Sequence, residues 1–183
     1  MKLISHSDKI LIAGSTGMVG SAISRTLKKN GYINQLNPTR NELNLMNYID
    51  VNRWMRKYKP EVVIIAAAKV GGIEANRSKP TEFLYENIRI QNNLIKAAYD
   101  INVKRLLFLG SSCIYPKFAK QPILEEYLLT GSLEETNESY AIAKICGIQF
   151  CKSLRKEKNF DAICLMPTNL YGPGDNYNPD ESH

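Results

Sequence analysis

Two side chains in the stretch Tyr140-Ala141-Ile142-Ala143-Lys144 could exchange protons with a substrate oxygen. Residues four apart on a helix share a face, about one turn from each other. If the stretch is helical, the Tyr140 phenol and the Lys144 ammonium point the same way. An unperturbed tyrosine, with a pKa of about 10, is a poor acid or base near neutrality. A cation beside it favours the phenolate and lowers that value. The expected chemistry is proton donation to a carbonyl oxygen, or proton removal from an alcohol. Either is useful only where a hydride is also delivered or removed.

The start of the chain offers a place for a hydride carrier. Lys9-Ile10-Leu11-Ile12-Ala13 is a short apolar run and reads as a buried strand. Gly14-Ser15-Thr16-Gly17-Met18-Val19-Gly20 follows, and a helical pattern runs from about Met18 to Asn30, with Gly31 as its stop. Glycines let a backbone approach a pyrophosphate, whose charge meets the helix N-terminus. Tight turns also use spaced glycines. The strand before and the helix after point to dinucleotide binding. A second, weaker strand is expected over Ile33 to Asn37. An acidic residue at its end would bind the ribose 2′-hydroxyl of NAD. Asn37 and Arg40 stand there instead, which suits a 2′-phosphate, so NADP(H) is the expected cofactor. The alternative for Arg40 is a solvated loop residue.

Further elements must carry these groups to one place. Asn47 can cap a helix running to about Lys59, ended by Pro60. Glu61 to Ala66 is a third strand, and Ala67 to Ile73 leaves its end. Pro80 to about Tyr99 reads as a helix with Phe83, Leu84, Ile88, Leu94, Ile95 and Ala98 as apolar surface. Arg105 to Leu109 is strand four and delivers Gly110-Ser111-Ser112-Cys113-Ile114-Tyr115-Pro116. A long connection to Ser139 holds one helical turn near Leu124 to Leu128. The helix from about Tyr140 to Lys156 carries two apolar stripes: Ala141, Ile145, Ile148, and Ile142, Cys146, Phe150, Leu154. Burial of both is expected, on the sheet and on a partner helix. Asp161 to Met166 is strand five, followed by Pro167-Thr168-Asn169-Leu170. This alternation argues for an α/β fold with a right-handed, mostly parallel sheet and helices on both faces. Ligands bind such sheets beyond the carboxyl ends of the strands.

At that rim Ser111 and Tyr140 could hydrogen-bond one carbonyl oxygen and stabilise its developing charge. Each alone has an ordinary structural explanation; together with Lys144 they argue for catalysis. Cys113 is open between a small core residue and a thiolate base. His183 is open between an exposed terminal residue and an acid over the cleft.

Composition narrows the classes. The 183 residues suit one domain, and 44 % are hydrophobic, enough to bury a core. The net charge of +6 fits an anionic small molecule or a lysine-rich helix surface equally well. No like-charge block suggests specific nucleic-acid binding. The four cysteines form no C-x-x-C pair and have no histidine at ligand spacing, so no metal is expected, and a reducing cytoplasm is. No signal-peptide pattern or apolar run of ~20 residues implies a membrane.

With these residues assembled, the chain resembles the extended short-chain dehydrogenases, on Gly14, Gly17, Gly20, Ser111, Tyr140 and Lys144. Within them it is most similar to the GDP-L-fucose synthase family. The matching stretches are 17–23, 42–45, 66–73, 106–117, 140–144 and 166–173. That resemblance implies a Rossmann-type doubly wound sheet over residues 1–183 and NADPH as cofactor. It implies epimerisation at C3 and C5, then reduction at C4, of GDP-4-keto-6-deoxy-D-mannose. Tyr140 would be the acid/base, Lys144 would lower its pKa and hold the nicotinamide ribose, and Ser111 would assist at the carbonyl. Cys113 would be the epimerisation base and His183 the acid. Arg40 and Asn41, Glu42, Leu43, Asn44 and Leu45 would surround the adenosine end. Leu109, Gly110, Ser111, Ser112, Pro167, Thr168, Asn169 and Leu170 would line the cofactor further. Ser15-Thr16 replaces a basic residue that some members place in the first loop, so 2′-phosphate recognition would lean on Arg40. The family also has a C-terminal lobe that holds the GDP-sugar, which the chain, stopping at His183, is expected to lack. A homodimer through the helices near Asn87 to Tyr99 and Tyr140 to Lys156 is implied as well. Two other readings stay open: a nucleotide-binding or dimerisation module without turnover, and another NADP-dependent sugar-nucleotide enzyme of the superfamily.

Overall fold

The structure, a computed structural model, describes residues 4–175. Five parallel strands form one sheet in the order β2-β1-β3-β4-β5. They are β1 (Ile10–Ala13), β2 (Gln35–Leu36), β3 (Val62–Ile65), β4 (Arg105–Leu109) and β5 (Ala162–Leu165). β1 and β3 lie at the centre, and all their residues but none of β2 are buried. That is why they read as unbroken apolar runs rather than alternating ones. β2 keeps only two residues, as its weak pattern suggests.

Helices cover both faces, giving the doubly wound architecture. On one face α1 (Met18–Lys29) lays Ile23 and Leu27 on Ile10, Ile12, Val62 and Ile64. On the other, α2 (Tyr48–Tyr58), α4 (Pro80–Asp100) and α5 (Glu138–Lys158) enclose the larger core. Val51 and Met55 of α2, Leu94 and Ile95 of α4, and Leu154 of α5 meet Leu11, Val63, Leu106 and Phe108 there. The Asn47 side chain caps α2, accepting from the N–H of Ile49 at 2.9 Å.

Two local expectations change. A short helix, α3 (Ile73–Ser78), precedes α4 where only loop is expected. Six residues are too few to show a period; what fixes the turn is the buried Asn76, whose Nδ2 donates to Gly71 O at 2.8 Å and Gly72 O at 3.0 Å. The two stripes of α5 are also not both buried. Ala141, Ile145 and Leu154 face inward, whereas Ile142 is 39 % exposed and Cys146 is exposed. Gly147 marks the line of closest approach. A Cβ there would sit 2.7 Å from the Phe108 ring and 2.9 Å from Gln91 Cδ, so α5 presses on the sheet and α4 along this line.

Candidate active site

In a parallel sheet all carboxyl ends share one rim. The loops after β1, β3, β4 and β5 therefore leave side by side. Leu165 O accepts from Gly110 N at 2.7 Å, and Pro167 O accepts from Ser112 N at 3.0 Å. These two bonds continue the β4–β5 pairing beyond the sheet and fix the loop that carries Ser111. Ser111 is extended, and its Oγ accepts from Cys113 N at 3.2 Å. This bond caps the short turn Ser112–Ile114 and holds Cys113 beside Ser111.

Tyr140 lies in the first turn of α5, and its hydroxyl is hydrogen-bonded with the Ser111 side chain. Burial pushes that hydroxyl up to about 12, the neighbouring Cys113 adds to the rise, and the Ser111 bond offsets part of it. The expectation that Lys144 lowers the Tyr140 pKa is not met in this state. Lys144 is buried, and its Nζ donates to Leu109 O at 2.7 Å. The ammonium lies 5.6 Å from the centre of the Tyr140 ring and 4.9 Å from that of Phe108. It stands over ring faces, in water-poor surroundings, and burial pulls its own pKa down to about 8. Desolvation therefore governs both members of this pair.

The Gly14–Gly20 turn has glycines of two kinds. Gly14 has φ +88, and a Cβ there would lie 2.7 Å from Ala67 N. A Cβ at Gly20 would lie 2.0 Å from Gly14 O. The fold requires both, because β1, α1 and the loop after β3 meet there. Gly17 has ordinary backbone angles, and a Cβ would find nothing nearer than 3.5 Å. Neither strain nor internal packing demands a glycine there. Its bare, exposed surface lies at the start of α1, where no side chain caps the first N–H groups and no acidic residue occupies the first turn. An uncapped helix start with room above it fits a phosphate group, and a dinucleotide along the rim is what these residues could hold. Ser15, Thr16, Met18 and Val19 flank that opening.

The other expected cofactor residues divide. Arg40 and Asn41 are exposed beyond β2, on the same rim. Glu42 accepts from Thr39 N at 2.7 Å and Thr39 Oγ1 at 2.8 Å, which holds its carboxyl below the usual range. Leu43 is a core residue, and Leu45 O accepts from the Asn93 side chain at 2.8 Å. The side chain of Leu43 is thus spent on packing. Asn44 Oδ1 accepts from Met46 N at 3.0 Å. Leu109 and Ser112 are partly buried and Gly110 is buried, whereas Pro167 is partly buried and Thr168, Asn169 and Leu170 are exposed. His183 lies outside the described residues.

Two supporting residues are absent from the sequence reading. Asn87, buried in α4, accepts from Lys69 N at 2.9 Å and donates to Lys69 O at 3.0 Å. It clamps the loop after β3 against which Gly14 packs. Gln91, one turn on, donates to Ala143 O at 2.5 Å and so ties α4 to the turn between Tyr140 and Lys144. Polar residues four apart on an otherwise apolar face were the available signal.

Residues 10–183 match the NAD dependent epimerase/dehydratase family. GDP-L-fucose synthase 1 of Arabidopsis thaliana is 56 % identical over 97 % of this chain and 55 % of its own length. GDP-L-fucose synthase of Escherichia coli strain K12 is 51 % identical over 96 % of this chain and 54 % of its own. A GDP-D-glycero-L-gluco-heptose synthase from Campylobacter jejuni, solved in the presence of NADPH, superposes with a TM-score of 0.94 at 39 % identity, covering 98 % of this chain and 53 % of that one. The chain spans about half the length of the curated relatives it matches. Because the family match takes in every strand of the sheet and every loop of its rim, the chain belongs to the NAD dependent epimerase/dehydratase family.

Proposed function

We propose that residues 1–183 form the NADP-binding domain of an NADPH-dependent enzyme that epimerises GDP-4-keto-6-deoxy-D-mannose at C3 and C5 and reduces it at C4. The observation that carries this reading is the grouping of Tyr140, Ser111 and Cys113 beside an open glycine turn on one rim. The names of its curated relatives agree with it.

Gly14 to Gly20 would hold the pyrophosphate, and Arg40 and Asn41 the adenosine end with its 2′-phosphate. Leu109 to Ser112 and Pro167 to Leu170 would line the rest. NADPH, when bound, supplies the hydride for C4. The protein's own part is proton handling. The C4 ketone acidifies the protons on C3 and C5. Cys113 removes each, and the resulting enolate oxygen is held by the hydroxyls of Ser111 and Tyr140. His183 returns a proton from the opposite face, which inverts the centre. Tyr140 protonates the C4 oxygen at the reduction. A tyrosine held near 12 remains protonated at neutral pH and is ready to donate. Lys144, already parted from solvent, needs little rearrangement to pair with a ribose hydroxyl.

The outward stripe of α5, with Ile142 and Cys146 exposed, is the surface a homodimer would use. A reducing cytoplasm suits the four free thiols. Among the described residues no helix is long and apolar enough to cross a membrane.

The test is turnover of the keto-sugar nucleotide in heavy water. Tyr140→Phe should abolish NADPH oxidation yet leave deuterium entering C3 or C5, and Cys113→Ser should abolish that entry. Unchanged exchange in Cys113→Ser removes it from the base role. A second reading, action on a GDP-heptose, follows from the Campylobacter jejuni neighbour. It is favoured if a keto-heptose nucleotide is turned over and the deoxy-mannose is not.

A further inference from the structure

Four polar side chains of α4 each hold a backbone segment of the rim or of α5. Arg89 and Asn93 share one face of the helix, Asn87 and Gln91 another. Arg89 Nη2 donates to Met46 O at 2.7 Å, and Asn93 Nδ2 donates to Leu45 O at 2.8 Å, both ahead of α2. Asn87 holds Lys69 after β3. Gln91 is the one that reaches α5, where its Nε2 donates to Ala143 O at 2.5 Å.

Gln91 and Ala143 are both buried, so this contact lies inside the packed interface of α4 and α5. In an α-helix the Ala143 carbonyl also accepts from the N–H four residues on, that of Gly147. Gln91 therefore takes its second lone pair. The missing side chain of Gly147 makes room for it, since a Cβ there would lie 2.9 Å from Gln91 Cδ. The same Cβ would lie 2.7 Å from the Phe108 ring, and the Lys144 ammonium stands 4.9 Å from the centre of that ring. The Gln91 bond, the Phe108 contact and the Lys144 bond to Leu109 thus fall within residues 143–147, directly after Tyr140.

We propose that Gln91 is a positioning residue, which through Ala143 sets the depth of α5 over β4 at which Tyr140 meets Ser111 and Lys144 meets Leu109. The inference rests on Tyr140 being the proton donor at C4. Folding does not require an amide here. The Ala143 carbonyl already has its helical partner, and burying an amide costs desolvation that an apolar side chain of like size avoids. What the amide adds is direction and distance. A hydrogen bond holds its partners within about half an ångström, whereas apolar contact is non-directional. That precision matters beside a reacting group, where a misplacement of about 1 Å costs about a hundredfold in rate.

The test compares Gln91→Met, which keeps the length and removes the donor, with Gln91→Glu, which donates only while its carboxyl is protonated. With the keto-sugar nucleotide in heavy water, Gln91→Met should lower kcat for NADPH oxidation about tenfold or more. Its KM for NADPH and its deuterium entry at C3 or C5, the work of Cys113, should stay within about threefold of the wild type. The rate of Gln91→Glu relative to the wild type should recover as pH falls. A second readout needs no turnover: carbon-13 NMR of the lysine Cε atoms in the chain alone. Lys144, held at about 8 in the wild type, should titrate closer to its ordinary 10.5 in Gln91→Met, because the turn lifts and admits water. It should not move in Asn93→Leu, which loses a bond of the same kind on the other face of α4. If the wild-type chain turns over no keto-sugar nucleotide, the substrate reading fails, and the Lys144 titration decides on Gln91. An unmoved Lys144 in Gln91→Met overturns the proposal, as does equal loss of NADPH oxidation and deuterium entry. If circular dichroism shows that Gln91→Met is unfolded, Gln91→Glu is read by the same titration. Its Lys144 should then match the wild type at pH values where the carboxyl is protonated and depart from it above them, and a match throughout overturns the proposal.

Discussion

The Lys144 ammonium donates to the carbonyl oxygen of Leu109 at 2.7 Å rather than to the Tyr140 hydroxyl. The helix places the two side chains on one face, as their spacing requires, yet the bond that α5 makes to β4 claims the cation. Lys144 is therefore both a strut between helix and sheet and a charge held under the Tyr140 ring.

This arrangement predicts a pH dependence of stability. Lys144 is held near 8 when folded and returns to its ordinary 10.5 when unfolded. Between those values the unfolded chain keeps a proton that the folded chain has released, so stability rises with pH. Below about pH 8 the cost of the buried ammonium is fully present. Tyr140 acts oppositely: it ionises near 10 unfolded and near 12 folded, so its contribution falls as pH climbs through that window. Urea unfolding at a series of pH values checks this. The wild type should gain on a Lys144→Met variant between pH values of about 8 and 10. A constant difference would mean that Lys144 keeps its ordinary value.

The glycine turn predicts two unlike phenotypes. Gly20→Ala would drive a Cβ to 2.0 Å from Gly14 O, and should cost at least about 3 kcal/mol or prevent folding. Gly17→Ala meets nothing nearer than 3.5 Å and should change stability by less than about 1 kcal/mol. It should nevertheless weaken dinucleotide binding tenfold or more, because its methyl group enters the phosphate space. Equal loss of stability in both would remove the distinction.

Asn87→Leu keeps the volume and discards the clamp. Lys69 N and O lose their partner, and unfolding should become easier by about 2 kcal/mol or more. Hydrogen exchange should speed at residues 67–72 while β4 stays protected. Uniform acceleration would mean a general loss of packing instead.

How much of this was legible follows from the physics of each part. β1 and β3 are central, so their apolar runs are unbroken and easily seen. The glycine turn announces itself because Gly14 and Gly20 are required by close backbone approach. Asn47 declares its cap through residue type alone. The turn of Lys144 to Leu109 is different, since it depends on which carbonyl α5 meets across the core. Asn87 and Gln91 were hidden for the same reason: polar residues on a buried face look like breaks in a stripe until their partners, Lys69 and Ala143, arrive from distant segments. The exposure of Ile142 and Cys146 likewise depends on which side of α5 closes on Phe108 and Gln91 at Gly147, which no periodicity records.

Arg40 offers a test of cofactor type. It is exposed beyond β2 with no acidic residue in the place that would bind a ribose 2′-hydroxyl. Arg40→Ala should weaken NADPH by tenfold or more and leave NADH within about twofold, as expected for a lost charge-assisted bond to phosphate. Calorimetric titration of both nucleotides reads this, and equal losses would make Arg40 a bystander.

The most direct measurement of the central claim is the affinity of the wild-type chain for NADPH and NADH, compared with that of Gly17→Ala. The account predicts saturable binding, at least tenfold tighter for NADPH, and loss of that binding in a variant that unfolds at the same urea concentration as the wild type. Absence of binding to a folded wild-type chain, or equal affinity for the two nucleotides in both proteins, would contradict it.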